Sequence, residues 1–207
     1  MSWEPVGFMF FSTIETLALY YLIMSLYRFK WRWYIWQVLF VILLNNLQSY
    51  LLRNELGMSN VAPLVLILIF IMFFTAVVRM PLVLSIIATI SGYAMFAVIQ
   101  TIIVLLVFGS ISNITGVAEG YFLQLMTAVV VFAAFSYIYR KGKGFTFDLD
   151  KLRFKLEDIL LSVLIFGFVI GVSVLLYYND ILLNVLIFLV MSAFLLYYST
   201  RKEREDA

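Results

Sequence analysis

Seven apolar stretches of roughly twenty residues, parted by short polar connections, constrain this chain more than anything else in it. A hydrocarbon core about 30 Å thick is crossed by about 20 residues of helix. The stretches run from Val6 to Tyr27, Trp33 to Leu52, Val61 to Val78, Leu82 to Phe108, Gly120 to Tyr139, Ile159 to Tyr178 and Ile181 to Ser199. They are continuous and rich in Leu, Ile, Val and Phe. A closed barrel would instead need short segments of alternating polarity. Charged residues make up 13% of the chain, against roughly a quarter in soluble domains, and no stretch is left over for a water-soluble core. The sequence therefore predicts an all-α, polytopic transmembrane helix bundle forming one integral membrane domain over residues 1–207, a multi-pass protein of the cell membrane.

The last two stretches are joined only by Asn179-Asp180, which predicts a tight helical hairpin. Merging them into one broken element would leave six spans and put the C-terminus on the opposite side. The basic residues favour seven. With the N-terminus outside, the inner side collects Arg28, Lys30, Arg32, Arg79, Arg140, Lys141, Lys143, Lys151, Arg153, Lys155, Arg201, Lys202 and Arg204, and of the 14 Lys and Arg only Arg53 falls outside. That is the distribution the positive-inside rule requires, with the C-terminus inside. The first stretch has no basic region before it and no small-residue cleavage site, so it reads as an anchor rather than a cleaved leader.

The outer connections are short. One contains Asn113-Ile114-Thr115, a glycosylation pattern common by chance. The sizeable inner loop, residues 140–158, alternates Phe145, Phe147, Leu149 and then Leu152, Phe154, Leu156 with polar residues. Period-two spacing of this kind fits a short strand pair or an interfacial segment on the headgroups, and it also offers a docking site for a cytoplasmic partner. Residues 200–207 form a charged cytoplasmic tail. Trp31, Trp33, Trp36, Tyr177, Tyr178, Tyr197 and Tyr198 lie near span ends as interfacial anchors. Gly167 and Gly171 form a GxxxG pair suited to close helix packing or a homodimer.

Polar residues inside the spans are the candidates for function. Glu15, within Ser12-Thr13-Ile14-Glu15-Thr16, is a carboxylate inside the first span, where insertion costs on the order of 3 kcal/mol and a partner or cavity is the rule. At a rise of about 1.5 Å per residue, Glu15 lies roughly 13 Å below the outer end of its span, Asn45 roughly 10 Å, Gln100 roughly 12 Å and Thr127 roughly 10 Å. Asn46, Gln48 and Ser49 neighbour Asn45, Gln124 sits above Thr127, and Asn184 in the seventh span is slightly shallower. Five of seven helices thus carry a polar group in one outer layer. Such a layer serves as a ligand pocket between helices, or as interhelical glue at about 0.6 kcal/mol per amide. The candidate ligand-binding residues are Glu15, Asn45, Gln48 and Gln100.

The chain has no Cys and no His, which removes thiol nucleophiles, imidazole bases, the usual zinc sites and haem ligation. No phosphate-binding loop, nucleophile elbow or zinc-binding helix is present. The acids Asp148, Asp150, Glu157 and Asp158 flank an exposed loop rather than a dry cleft. The expectation is a protein that is not an enzyme, with no cofactor, no metal and no nucleic-acid partner, the lipid bilayer being its surrounding.

The N-outside layout of about 200 residues, the short outer loops and the last helix running into Thr200-Arg201-Lys202-Glu203-Arg204-Glu205 resemble the membrane sensor module of Agr-type peptide-pheromone receptor histidine kinases of Gram-positive bacteria. Ser25-Leu26-Tyr27-Arg28-Phe29-Lys30 also resembles membrane proteins of spore-forming relatives. The likeness is one of topology and texture over nearly the whole chain, and it departs where a kinase would begin, at Ala207. It implies a receptor-like or regulatory module that recognises a small molecule or peptide from the outer side and signals to a separate cytoplasmic partner. A substrate-binding membrane subunit of a transporter and a ligand-free assembly subunit are the alternatives.

Overall fold

The computed structural model describes residues 4–54, 62–110, 116–142 and 144. The sixth and seventh spans, Asn113, Asn184, Gly167 and Gly171, nearly all of the 140–158 loop and the charged tail lie outside the described residues. What is described is helical, with no strand among the described residues: α1 (Glu4–Leu26), a 3-10 turn (Trp31–Tyr34), α2 (Ile35–Asn54), α3 (Ala62–Ala76), α4 (Leu82–Val107) and α5 (Val117–Arg140). Four stretches are long and apolar enough to cross a membrane: Pro5–Leu26, Trp31–Arg53, Leu82–Val107 and Val117–Arg140. The helix Ala62–Ala76 is apolar but shorter.

Local chemistry sets the ends. Glu119 Oε2 accepts the Gly116 N–H at 3.1 Å, so α5 begins three residues ahead of the apolar run that marks it in sequence. The α1 helix closes with the Phe29 N–H donating to the Met24 carbonyl at 2.8 Å and the Arg28 N–H to Ser25 at 3.2 Å, a Schellman-type end. Its left-handed residue is Arg28 (φ 56) rather than glycine, and Arg79 (φ 65) beyond α3 is left-handed too.

The chain divides into two compact units, Met1–Asn46 with Ala88–Phe147, and Leu47–Ile87 with Asp148–Ala207. In the first unit α1 is central, packing on three helices through different faces. Against α5, the Phe11 ring stacks on Tyr121 with centroids 4.7 Å apart, and Tyr21 meets Phe132 and Ser136. Both sequences ascend together, so these helices are parallel. Against α4, Glu15 meets Gln100 and Tyr27 meets Ser91 at 2.9 Å, an antiparallel pairing. A Cβ on Gly92 would stand 2.3 Å from Ile23 Cγ1, so only glycine lets α4 come this close. Against α2, Thr13 and Thr16 meet Asn46 while Tyr20 further along α1 meets Trp31 just before α2, again antiparallel.

The two halves of α1 differ. Ala18 to Ser25 are all buried, as expected of a helix apolar all round and enclosed by neighbours. From Pro5 to Glu15 none is buried. Apolar side chains such as Val98, Leu106, Phe122 and Val129 face outward on α4 and α5, a surface suited to hydrocarbon.

In the second unit every residue of α3 from Ile69 onward, and on through Val78, is buried. Thr75 donates its hydroxyl to the Ile71 carbonyl at 2.8 Å, and Phe70 and Phe74 stack.

Candidate functional site

The Glu15 layer of the first unit sits where the closed half of α1 gives way to the open half. Ser12, Thr13, Glu15 and Thr16 occupy just over one turn, so they fan out toward different neighbours. Thr13 donates its hydroxyl to the Met9 carbonyl at 2.6 Å. This commits its proton and leaves its oxygen to accept Asn46 Nδ2 at 3.1 Å. Thr16 donates to the Ser12 carbonyl at 2.7 Å, with Asn46 Oδ1 as a longer second acceptor at 3.5 Å. The Asn46 amide thereby clamps α2 to α1 with both of its ends.

On another face of α1, Gln100 Nε2 of α4 donates to Glu15 Oε1 at 2.8 Å. Both side chains are only partly buried. The Gln100 amide is thus one partner of the carboxylate, drawn from a different helix. The α1 and α5 register, Phe11 on Tyr121 and Tyr21 on Ser136, brings Thr127 to the level of Glu15. Thr127 is fully buried, and its hydroxyl has no hydrogen-bond partner among the described residues, nor has Gln124 Oε1 one turn earlier. Thr13, Thr16 and Thr101 each bond the carbonyl four residues back, whereas Thr127 and Thr89 have no hydrogen-bond partner among the described residues.

Of the residues singled out from sequence, Glu15 and Gln100 are brought into direct contact. Asn45 is buried on α2, and its neighbour Asn46 makes the bonds to α1. Gln48 belongs to the second unit, where it is buried with neither amide atom partnered among the described residues. The residues missed as participants, Thr13, Thr16 and Asn46, were visible as the polar group around Glu15 and the Asn pair of α2. What selects among them is azimuth, and adjacent residues on a helix differ by about 100°. No group of three or more His, Cys, Asp or Glu suited to a metal occurs among the described residues.

No family model, no curated protein and no solved structure matches the chain.

Proposed function

We propose that this chain is a receptor-like membrane module which takes a small molecule or peptide from the outer side into the Glu15 layer and signals to a separate cytoplasmic partner. The observation that carries the reading is the partly exposed Glu15 carboxylate, bonded across helices to Gln100 and level with a buried Thr127 hydroxyl that has no hydrogen-bond partner among the described residues. Packing alone does not need a carboxylate, and neutral amides bridge membrane helices at about 0.6 kcal/mol each without its insertion cost. The Glu15 carboxylate and the Gln124 carbonyl oxygen of this layer are hydrogen-bond acceptors, so the ligand class that fits carries N–H donors: an amine, a peptide N-terminus or backbone amides.

Seven spans with the N-terminus outside belong to the same proposal. Because α2 and α4 are both antiparallel to α1, the chain must cross back between them, which argues for α3 as a crossing despite its length. The described acids of the first unit, Glu4, Glu15 and Glu119, lie toward the N-terminal end of α1, and Arg28, Lys30, Arg32, Arg140 and Lys141 lie toward the other end. The positive-inside rule then puts the open half of the layer outside. Read this way the chain binds rather than catalyses.

The test is the melting midpoint of detergent-purified protein, wild type beside Glu15→Gln, against a panel of peptides and amine-bearing metabolites. A ligand specific for the folded state at a hundred times its Kd stabilises by about 2.7 kcal/mol. A shift in wild type that is lost in Glu15→Gln supports the pocket. Uptake that depends on an energising complex would instead favour the transporter subunit, and no shift with any compound the assembly subunit.

A further inference from the structure

A cavity of about 440 Å³ opens at the end of the first unit away from Glu15, between the 3-10 turn and the last turn of α5. That volume lies in the range of small-ligand pockets. Its walls carry three cations from two separate elements: Lys30 and Arg32 from the 3-10 region, and Arg140 from α5. None of the three forms an ion pair among the described residues, and no described acid lies at this end. Lys30 rests over the Trp33 ring with its ammonium 4.2 Å from the centroid, and Arg32 over Trp31 at 5.3 Å. Those contacts hold the stems in place and leave the N–H groups open to an acceptor.

The cavity is preorganised. Tyr20 donates its hydroxyl to the Trp31 carbonyl at 2.8 Å, and the Trp31 ring stands edge-on to Tyr21 at 5.2 Å, so the turn is fixed to α1. Tyr21 and Ser136 share a hydrogen bond of 2.9 Å inside the cavity. One of these two hydroxyls keeps a free proton to donate. The α5 C-terminus works against an anion through its dipole, and Arg140 alone would serve to offset it. Lys30 and Arg32 exceed that need.

We propose that this cavity binds the phosphate of an anionic phospholipid headgroup. The chemistry needed is a phosphate ester facing three cations and a hydroxyl donor. The lipid source follows from position. Trp33, Trp36 and Tyr137, respectively 67%, 79% and 59% exposed at this end, form the aromatic girdle that sits at headgroup depth. Basic pockets between membrane helices at that depth hold anionic headgroups. The inference is independent of the Glu15 layer.

The experiment is native mass spectrometry of the full chain with phosphatidylglycerol or phosphatidylcholine, repeated with inorganic phosphate and glycerol 3-phosphate as competitors. Phosphatidylglycerol should be retained in preference to phosphatidylcholine. Arg32→Gln and Arg140→Gln should each lower that retention on the order of fivefold. Arg32→Lys and Arg140→Lys, which keep the charge, should retain most of it and show that the loss is not misfolding. Equal retention of both lipids would overturn the proposal. So would an equal loss in Arg79→Gln, which lies outside the cavity, because generic surface attraction would then suffice. Displacement of lipid by millimolar glycerol 3-phosphate or inorganic phosphate would replace the lipid by a soluble phosphate compound and would also overturn it.

Discussion

The Glu15 and Gln100 pair invites a double-mutant cycle, because the two side chains come from α1 and α4, far apart in sequence, and meet through one bond of 2.8 Å. A hydrogen bond to a charged group contributes about 1.5–3 kcal/mol net, against about 0.5–1.5 for a neutral pair. Both side chains are partly exposed, which holds the value at the lower end. The expected coupling between Glu15→Ala and Gln100→Ala is therefore about 1.5 kcal/mol, roughly tenfold in the folding equilibrium. Repeating the cycle from Glu15→Gln replaces the carboxylate by an amide of the same shape. Coupling should then fall to about 0.6 kcal/mol, the ordinary value for polar pairs between membrane helices. Reversible unfolding in mixed micelles reads both numbers. A coupling below about 0.3 kcal/mol in the first cycle would refute the contact. Equal values in the two cycles would refute the role given to charge, and with it the argument that the layer holds more than glue.

Two further substitutions probe how α1 is held. Gly92→Ala puts a Cβ 2.3 Å from Ile23 Cγ1, an overpacking that should cost about 1–3 kcal/mol, and Ile23→Ala in the same chain should recover part of the loss. Unfolding midpoints check both, and a neutral Gly92→Ala would mean that the helices do not cross there. Arg28→Gly removes a side chain from a left-handed residue (φ 56) and should raise stability by about 1 kcal/mol in the same assay. A fall would show that the arginine contributes more than its strain.

Helices α3 and α4 were legible almost to the residue, because a long apolar run bounded by turn residues has one solution in lipid. The ends that differ do so through side chains. At α5 the Glu119 carboxylate captures the Gly116 N–H, and before α2 the Tyr20 hydroxyl holds the Trp31 carbonyl in a 3-10 turn. A hydropathy pattern records neither bond, because each depends on what a distant or capping side chain reaches.

Depth and azimuth explain what the sequence could tell of the layer. Depth follows from a rise of about 1.5 Å per residue, so Glu15 and Gln100 came out level before either had a partner, and they meet. Azimuth depends on how a helix is rotated against its neighbours, and Asn45 and Asn46 have the same chemistry on faces about 100° apart. Packing chose Asn46, since Thr13 and Thr16, three residues apart on α1, present their oxygens to it together. The basic cavity was hidden for a related reason. Lys30, Arg32 and Arg140 all read as a positive-inside signal, each from its own loop. Only the parallel pairing of α1 with α5, set by contacts such as Tyr21 on Ser136, brings the ends of those two stretches around one space. A charge that in sequence marks orientation alone stands in the structure beside charges from a second element.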